Sequence, residues 1–231
     1  MALLGEILVR FNSDTAGFVS GVGLATAALV GVGAAIGKTV SMAADFETSM
    51  TRLVTSAGLA PASFNAVSAG ILKMSADTGT STQQLADGMF NVESSLHLGA
   101  SGLRVLEAAA QGAKAENSDL AQTTDVLTTA MVNYRLPASQ AADVMNSLIT
   151  TVAAGKMHMD DLTGSLKNAL PVSAAFGIKL SDVEGALSTM ANAGDRGTSA
   201  GTHLAMMFKK RLKPRAAANK ALGAMGIYRN G

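Results

Sequence analysis

Residues 6–12, EILVRFN, alternate in character: Ile7, Val9 and Phe11 fall on one face, Leu8 and Arg10 on the other. That period of two predicts a short strand, and the following SDTAGF supplies a cap-and-turn cluster. A lone strand leaves its backbone groups unpaired, so this one needs a partner from another copy or another protein. Thr15–Gly37 then runs for 23 residues without a charge. After Lys38 the period becomes helical, with Met42, Phe46, Met50 and Leu53 on one face. Gly58 and Pro61 are expected to end that helix.

Farther on, the pattern reads as short capped helices in a weak repeat of one helix per unit. Cap residues are expected at Ser118, Ser139, Asp160 and Ser181, which are evenly spaced. In that frame Met145, Leu166 and Leu187 correspond, as do Leu148, Ala169 and Met190. Breaks are expected at Gly155, Gly177 and Gly194. A similar unit starts at Thr80 or Ser81, and Pro171 should kink or split the helix that holds it. The expected fold is all-α: a short N-terminal strand or arm at 1–14, a Gly/Ala-rich apolar helix at 15–44, and a compact array of short amphipathic helices at 45–214. A continuing segment starts at 215.

The uncharged stretch and its flank, GVGLATAALVGVGAAIGKTV at 21–40, admit three readings. A phosphate-binding loop needs Gly five residues before the Gly of Gly-Lys-Thr. Here Gly37, Lys38 and Thr39 supply the ending, but Val32 stands where that Gly belongs, and no βαβ context follows. A membrane span needs about 20 mostly apolar residues. Thr15–Gly37 is long enough, yet only eight of its residues are strongly apolar, against six Ala and six Gly. Each Gly costs a helix about 0.8–1 kcal/mol relative to Ala, so close packing has to offset them. Gly23, Ala27, Gly31 and Ala35 form a four-residue-spaced ridge, with Gly33 and Gly37 as a second, shorter one. Small-xxx-small ridges let two helix backbones approach closely. The stretch is therefore expected to be a helix-packing interface, with insertion of residues 16–37 as an oligomeric membrane span the alternative.

Composition narrows the chemistry. Of 231 residues, 48% are apolar but only 4% aromatic, and there is no Trp and no Cys. The core must be built from Ala, Leu, Val and 13 Met, which favours helices. Without Cys there is no disulfide framework and no thiolate metal site. The N-terminus has no basic region ahead of its apolar stretch, as a secretory signal would. The net charge of +1 hides an asymmetry: residues 1–195 hold 10 basic and 17 acidic residues, and residues 196–231 hold 8 basic and none acidic. Lys209, Lys210, Arg211, Lys213 and Arg215 form a basic segment suited to docking on an acidic surface: the chain's own body, a partner or nucleic acid. The histidines are His97, His158 and His203. His158 sits beside Asp160 and Asp161, but neighbours at a helix start point in different directions. No catalytic set stands out, so the expectation is a non-enzyme with no cofactor and no metal.

ADFETSMTRLVTSAG at 44–58 resembles the entry to the core of phage tail tape-measure proteins. Residues 156–214 resemble that family more specifically. They carry Asp160–Leu162, the Pro171–Ala174 turn, the break Gly177–Leu180, Ala193–Gly194, the helix Gly197–Leu204 and Pro214. ANKALGAMGIYRNG and the opening GEILVRFNSDTAGF are similar to further family elements. The resemblance implies a structural virion protein that lies in the tail lumen after passing through the host cytoplasm. It would scaffold tube assembly, help set tail length and leave the tail during DNA ejection. The implied partners are other copies of itself, tail tube and tail tip proteins, DNA or an acidic lining through the basic segment, and the host membrane on ejection. Such proteins are usually far longer. At about 1.5 Å per residue even a single helix of this length reaches only roughly 350 Å, so the chain is expected to be the N-terminal or ordered part of a longer protein.

Overall fold

The computed structural model describes residues 32–212, with side chains from Ala43 to Lys210. The chain divides into two compact units, residues 1–49 and 50–231. Helix α1 (Val32–Thr55) carries Gly33, Ala35 and Gly37 and runs on without a break past residue 44. Of the four apolar residues expected on one face, Phe46, Met50 and Leu53 are buried. The strand expected at 6–12 and the ridge residues Gly23, Ala27 and Gly31 lie outside the described residues, as do Lys213 and Arg215.

Among the described residues the second unit holds eight further helices: α2 (Phe64–Thr78), α3 (Thr82–Leu96), α4 (Gly102–Glu116), α5 (Leu120–Tyr134), α6 (Ala141–Gly155), α7 (Met159–Ala175), α8 (Leu180–Asn192) and α9 (Gly197–Leu212). They form two layers. Helices α3, α5, α7 and α9 pack side by side in one, and α2, α4, α6 and α8 in the other. Each helix also packs on the next in sequence, across the layers. The core lies between the layers and is built almost wholly from Ala, Val, Leu and Met.

The unit of repetition is thus a helix pair, which differs from the expected single helix. Same-layer helices start at positions 82, 120, 159 and 197 in one layer and at 64, 102, 141 and 180 in the other, a nearly constant step in both. Side chains keep that register. Leu85, Thr123, Leu162 and Ala200 are equivalent and buried, as are Met89, Leu127, Leu166 and Leu204. In the other layer Val67, Val105, Val144 and Val183 match, as do Ile71, Ala109, Leu148 and Leu187. The single-helix frame fails because it equates helices of opposite layers: Leu166 belongs to one and Leu187 to the other.

Turn chemistry repeats too. Gly79, Asn117, Lys156 and Gly194 recur once per helix pair, and all adopt positive φ at the ends of the even-numbered helices. Two residues later Ser81 and Asp119 accept backbone hydrogen bonds from Gln84 and Gln122, capping α3 and α5. Four expected caps shift by one or two residues. The observed positions are Asp119 rather than Ser118, Gln140 rather than Ser139, His158 rather than Asp160, and Lys179 rather than Ser181. At α7 the His158 amide donates to Asp161 (3.2 Å), closing a capping box that leaves Asp160 exposed in the first turn. Breaks fall after Gly155 and at Gly177 and Gly194, as expected. Pro171 does not split its helix: α7 runs through it.

Candidate functional site

Two places depart from simple apolar packing. One is the joint between α7 and α9, where small residues bring the backbones very close. A Cβ built on Gly201 would lie 2.1 Å from the Ser165 carbonyl oxygen and 2.8 Å from its Cα. A Cβ on Gly164 would likewise lie 3.2 Å from the Thr198 backbone nitrogen. The close approach lets side chains reach the opposite backbone. Ser165 Oγ lies 2.7 Å from the Gly197 carbonyl oxygen and 2.9 Å from that of Asp161, so its hydroxyl can donate across the joint or within its own helix. Asn168 Nδ2 donates to Thr202 Oγ1 at 3.1 Å and toward the Thr198 carbonyl at 3.4 Å. At the mouth of the joint Asp195 accepts from His203 at 2.8 Å. Hydrogen bonds from His203 and Ser199 hold the Asp195 carboxyl below the usual carboxylate range.

The other place is a cleft between α6 and α8, of about 260 Å³. Glu184, Asp143, Gln140, Ser147 and Ser181 line it with polar side chains, and Val144 and Leu180 supply its apolar walls. Glu184 is only 5% exposed. Its Oε2 accepts from Ser147 Oγ at 2.5 Å, but its Oε1 is buried without a partner. Burial pushes the Glu184 carboxyl up, and the Ser147 hydrogen bond opposes the shift only in part. Nearby, Tyr134 donates to the Ile178 carbonyl at 2.9 Å. Its hydroxyl is pushed up to about 12, first by burial and then by the charges of Glu184 and Asp182.

The α7–α9 joint is made by the residues that carry the sequence resemblance, and comparison with known proteins agrees with it. The family model for "Phage-related minor tail protein" matches residues 68–229. The chain belongs to this phage minor tail protein family. It is also similar to the tape measure protein of Pneumococcus phage Dp-1, at 23% identity over 207 residues. That match covers 90% of this chain and 18% of the Dp-1 protein, so the chain spans about a fifth of the length of the relative it matches. No solved structure matches the chain.

In this minor tail protein the residues expected to form sites fall in different places. Gly33, Ala35 and Gly37 are on α1. Lys209, Lys210 and Arg211 are in the last turns of α9, where Lys209 and Lys210 are exposed. Neither lysine forms an ion pair among the described residues. The three histidines do not converge: His97 and His158 occupy helix ends, and His203 pairs with Asp195. Among the described residues no group of three or more potential ligands could hold a metal ion. Nor is any described helix long and apolar enough to cross a membrane. Sequence reasoning missed Glu184. In the string SDVEGAL it reads as an ordinary solvated helix acid, and only the helix-pair register aligns it with the buried Leu106 and Met145.

Proposed function

We propose that this chain is the N-terminal and core portion of a phage tail tape-measure protein, a structural component of the tail lumen that scaffolds tube assembly. The single observation that carries the reading is the family match over residues 68–229. The name of the Dp-1 relative and the helical repeat array support it. The array's helices are 13–17 residues long and packed side by side. An extended helix gains about 1.5 Å per residue, so the packed array is a poor ruler for its mass. In this proposal it anchors and nucleates, and length setting falls to the part of a tape measure that corresponds to the other four-fifths of the relative. Release during DNA ejection, and contact with tube and tip proteins, complete the proposed role.

The α1 residues Gly33, Ala35 and Gly37, with Gly23, Ala27 and Gly31, are proposed as a helix-packing ridge toward other copies. The test is an in-frame deletion of the segment encoding residues 64–212 in the phage. Tails that fail to assemble agree with the reading. Normal tails of normal length refute it.

A further inference from the structure

Two glutamates are buried in the repeat array, and their surroundings differ. Glu93 accepts from the Gly99 amide at 2.8 Å, so its carboxylate holds the turn between α3 and α4. Glu184 holds no turn. In the two preceding repeats its place is taken by Leu106 and Met145, both buried, and in the first by the half-buried Ser68, so no other repeat places a charge there. An unpartnered buried acceptor costs about 1–3 kcal/mol, more for a charged group, and an apolar residue would avoid that cost. The orphan Oε1 belongs to a side chain that lines an open cleft, with Asp143 beside it and no cation in the lining. The site therefore has two carboxyl groups, the Gln140 carboxamide, two hydroxyls and short apolar walls from Val144 and Leu180. A basic side chain fits that set: its stem lies along the walls and its N–H groups reach both carboxylates.

We propose that the α6–α8 cleft receives a basic side chain from a second copy of this chain, Lys209 or Lys210 at the end of α9, with the Glu184 carboxyl group as its acceptor. The charge distribution selects this occupant. The body through residue 195 has 17 acidic and 10 basic residues, and the remainder is basic with no acid. Lys209 and Lys210 are exposed and without an ion pair among the described residues. One patch docks on a different patch of the next copy, so the contact is heterologous and builds a ring or an open series.

The test is sedimentation velocity of the 231-residue chain at low and high salt, with three variants. Glu184→Gln keeps the shape and removes the charge, and Lys209→Glu/Lys210→Glu alters only exposed side chains. The third combines all three changes, and circular dichroism confirms that each is folded. Self-association of the parent chain at low salt should weaken about tenfold or more in each of the first two. The combined variant should be little worse than either, because both remove the same contact. Methylguanidinium should disperse the parent assemblies, and methylurea at the same concentration should not. Self-association unaffected by Glu184→Gln overturns the proposal, and so do fully additive losses. Protection of the monomer by methylguanidinium without self-association overturns the second copy as occupant.

Discussion

Replacing Gly201 by Ala adds one methyl group to α9, and its effect follows from the α7–α9 joint. The new Cβ would meet the Ser165 carbonyl oxygen at 2.1 Å, its carbon at 2.7 Å and its Cα at 2.8 Å. All three are backbone atoms of a helix, so no rotamer change relieves the contact, and the two helices must separate. A radial gap of about 1 Å forfeits about a quarter to a half of each dispersion contact across the joint. It also stretches the 2.7 Å Ser165–Gly197 hydrogen bond beyond useful range, a loss of about 1 kcal/mol. Overpacking of this kind costs about 1–3 kcal/mol. Ala returns about 0.8–1 kcal/mol in helix propensity. The net expectation is a destabilisation of about 2 kcal/mol, or a Tm lower by roughly 4–8 °C for a unit of this size. Gly185, on α8, is the control. A Cβ there meets nothing within 4 Å, so Gly185→Ala should raise Tm by roughly 2–4 °C through propensity alone. The assays are thermal and urea denaturation followed by circular dichroism, with hydrogen exchange to locate the loss. Protection should fall first in α7 and α9. A Gly201→Ala chain as stable as its parent, or one shifted in the same direction as Gly185→Ala, would refute the close-packing argument.

Other outcomes follow from single positions. Burial raises the Glu184 carboxyl above its unfolded value, so the folded chain binds more protons and its stability falls as pH rises through that window. Glu184→Gln should flatten this slope in denaturation between pH 4 and 8 and stabilise the chain at neutral pH. Tyr134 is raised to about 12, so its contribution is complete below about pH 10 and lost as pH rises toward 12. Tyr134→Phe should remove that alkaline loss in the same titration. Lys156 sits at φ 48°, where a Cβ is strained. Lys156→Gly should relieve about 1 kcal/mol in urea denaturation, and Gly194→Ala, at φ 94°, should cost a similar amount. Asp119→Ala removes the α5 cap and should cost about 0.5–2 kcal/mol by the same assay.

The helical class was legible because small, unbranched apolar residues recur at helical spacing between Gly breaks, as in the runs ending at Gly155, Gly177 and Gly194. The helix-pair period was harder to see. Four of the left-handed end residues are His97, Asn117, Arg135 and Lys156, which carry no Gly signature. Successive helices start at alternately shorter and longer steps, and the even spacing from Ser118 through Ser139 and Asp160 to Ser181 matches only the longer ones, so it fits every second step and hides the pair. The α5 cap moved by one residue because Ser118 and Asp119 both have capping oxygens, whereas α6 and α8 start at Gln140 and Lys179, which make no side-chain cap bond and so leave no capping signature. Glu184 was illegible for a different reason. Burial of an acid is a property of register, and the register appears only when Val67, Val105, Val144 and Val183 are seen to stack. The α7–α9 joint was legible as a family pattern at Gly197–Leu204, but its physical meaning needed the Gly201 contact.

As a tape-measure module, this minor tail protein has to lie within the tail. Proximity cross-linking of intact virions, read together with cryo-electron microscopy of the tails, tests it most directly. Cross-links are expected from the exposed lysines Lys73, Lys209 and Lys210 to lumen-facing residues of the tube or tip proteins, with helical density inside the tube. Absence of the chain from virions, or cross-links only to the outer tail surface, would contradict it.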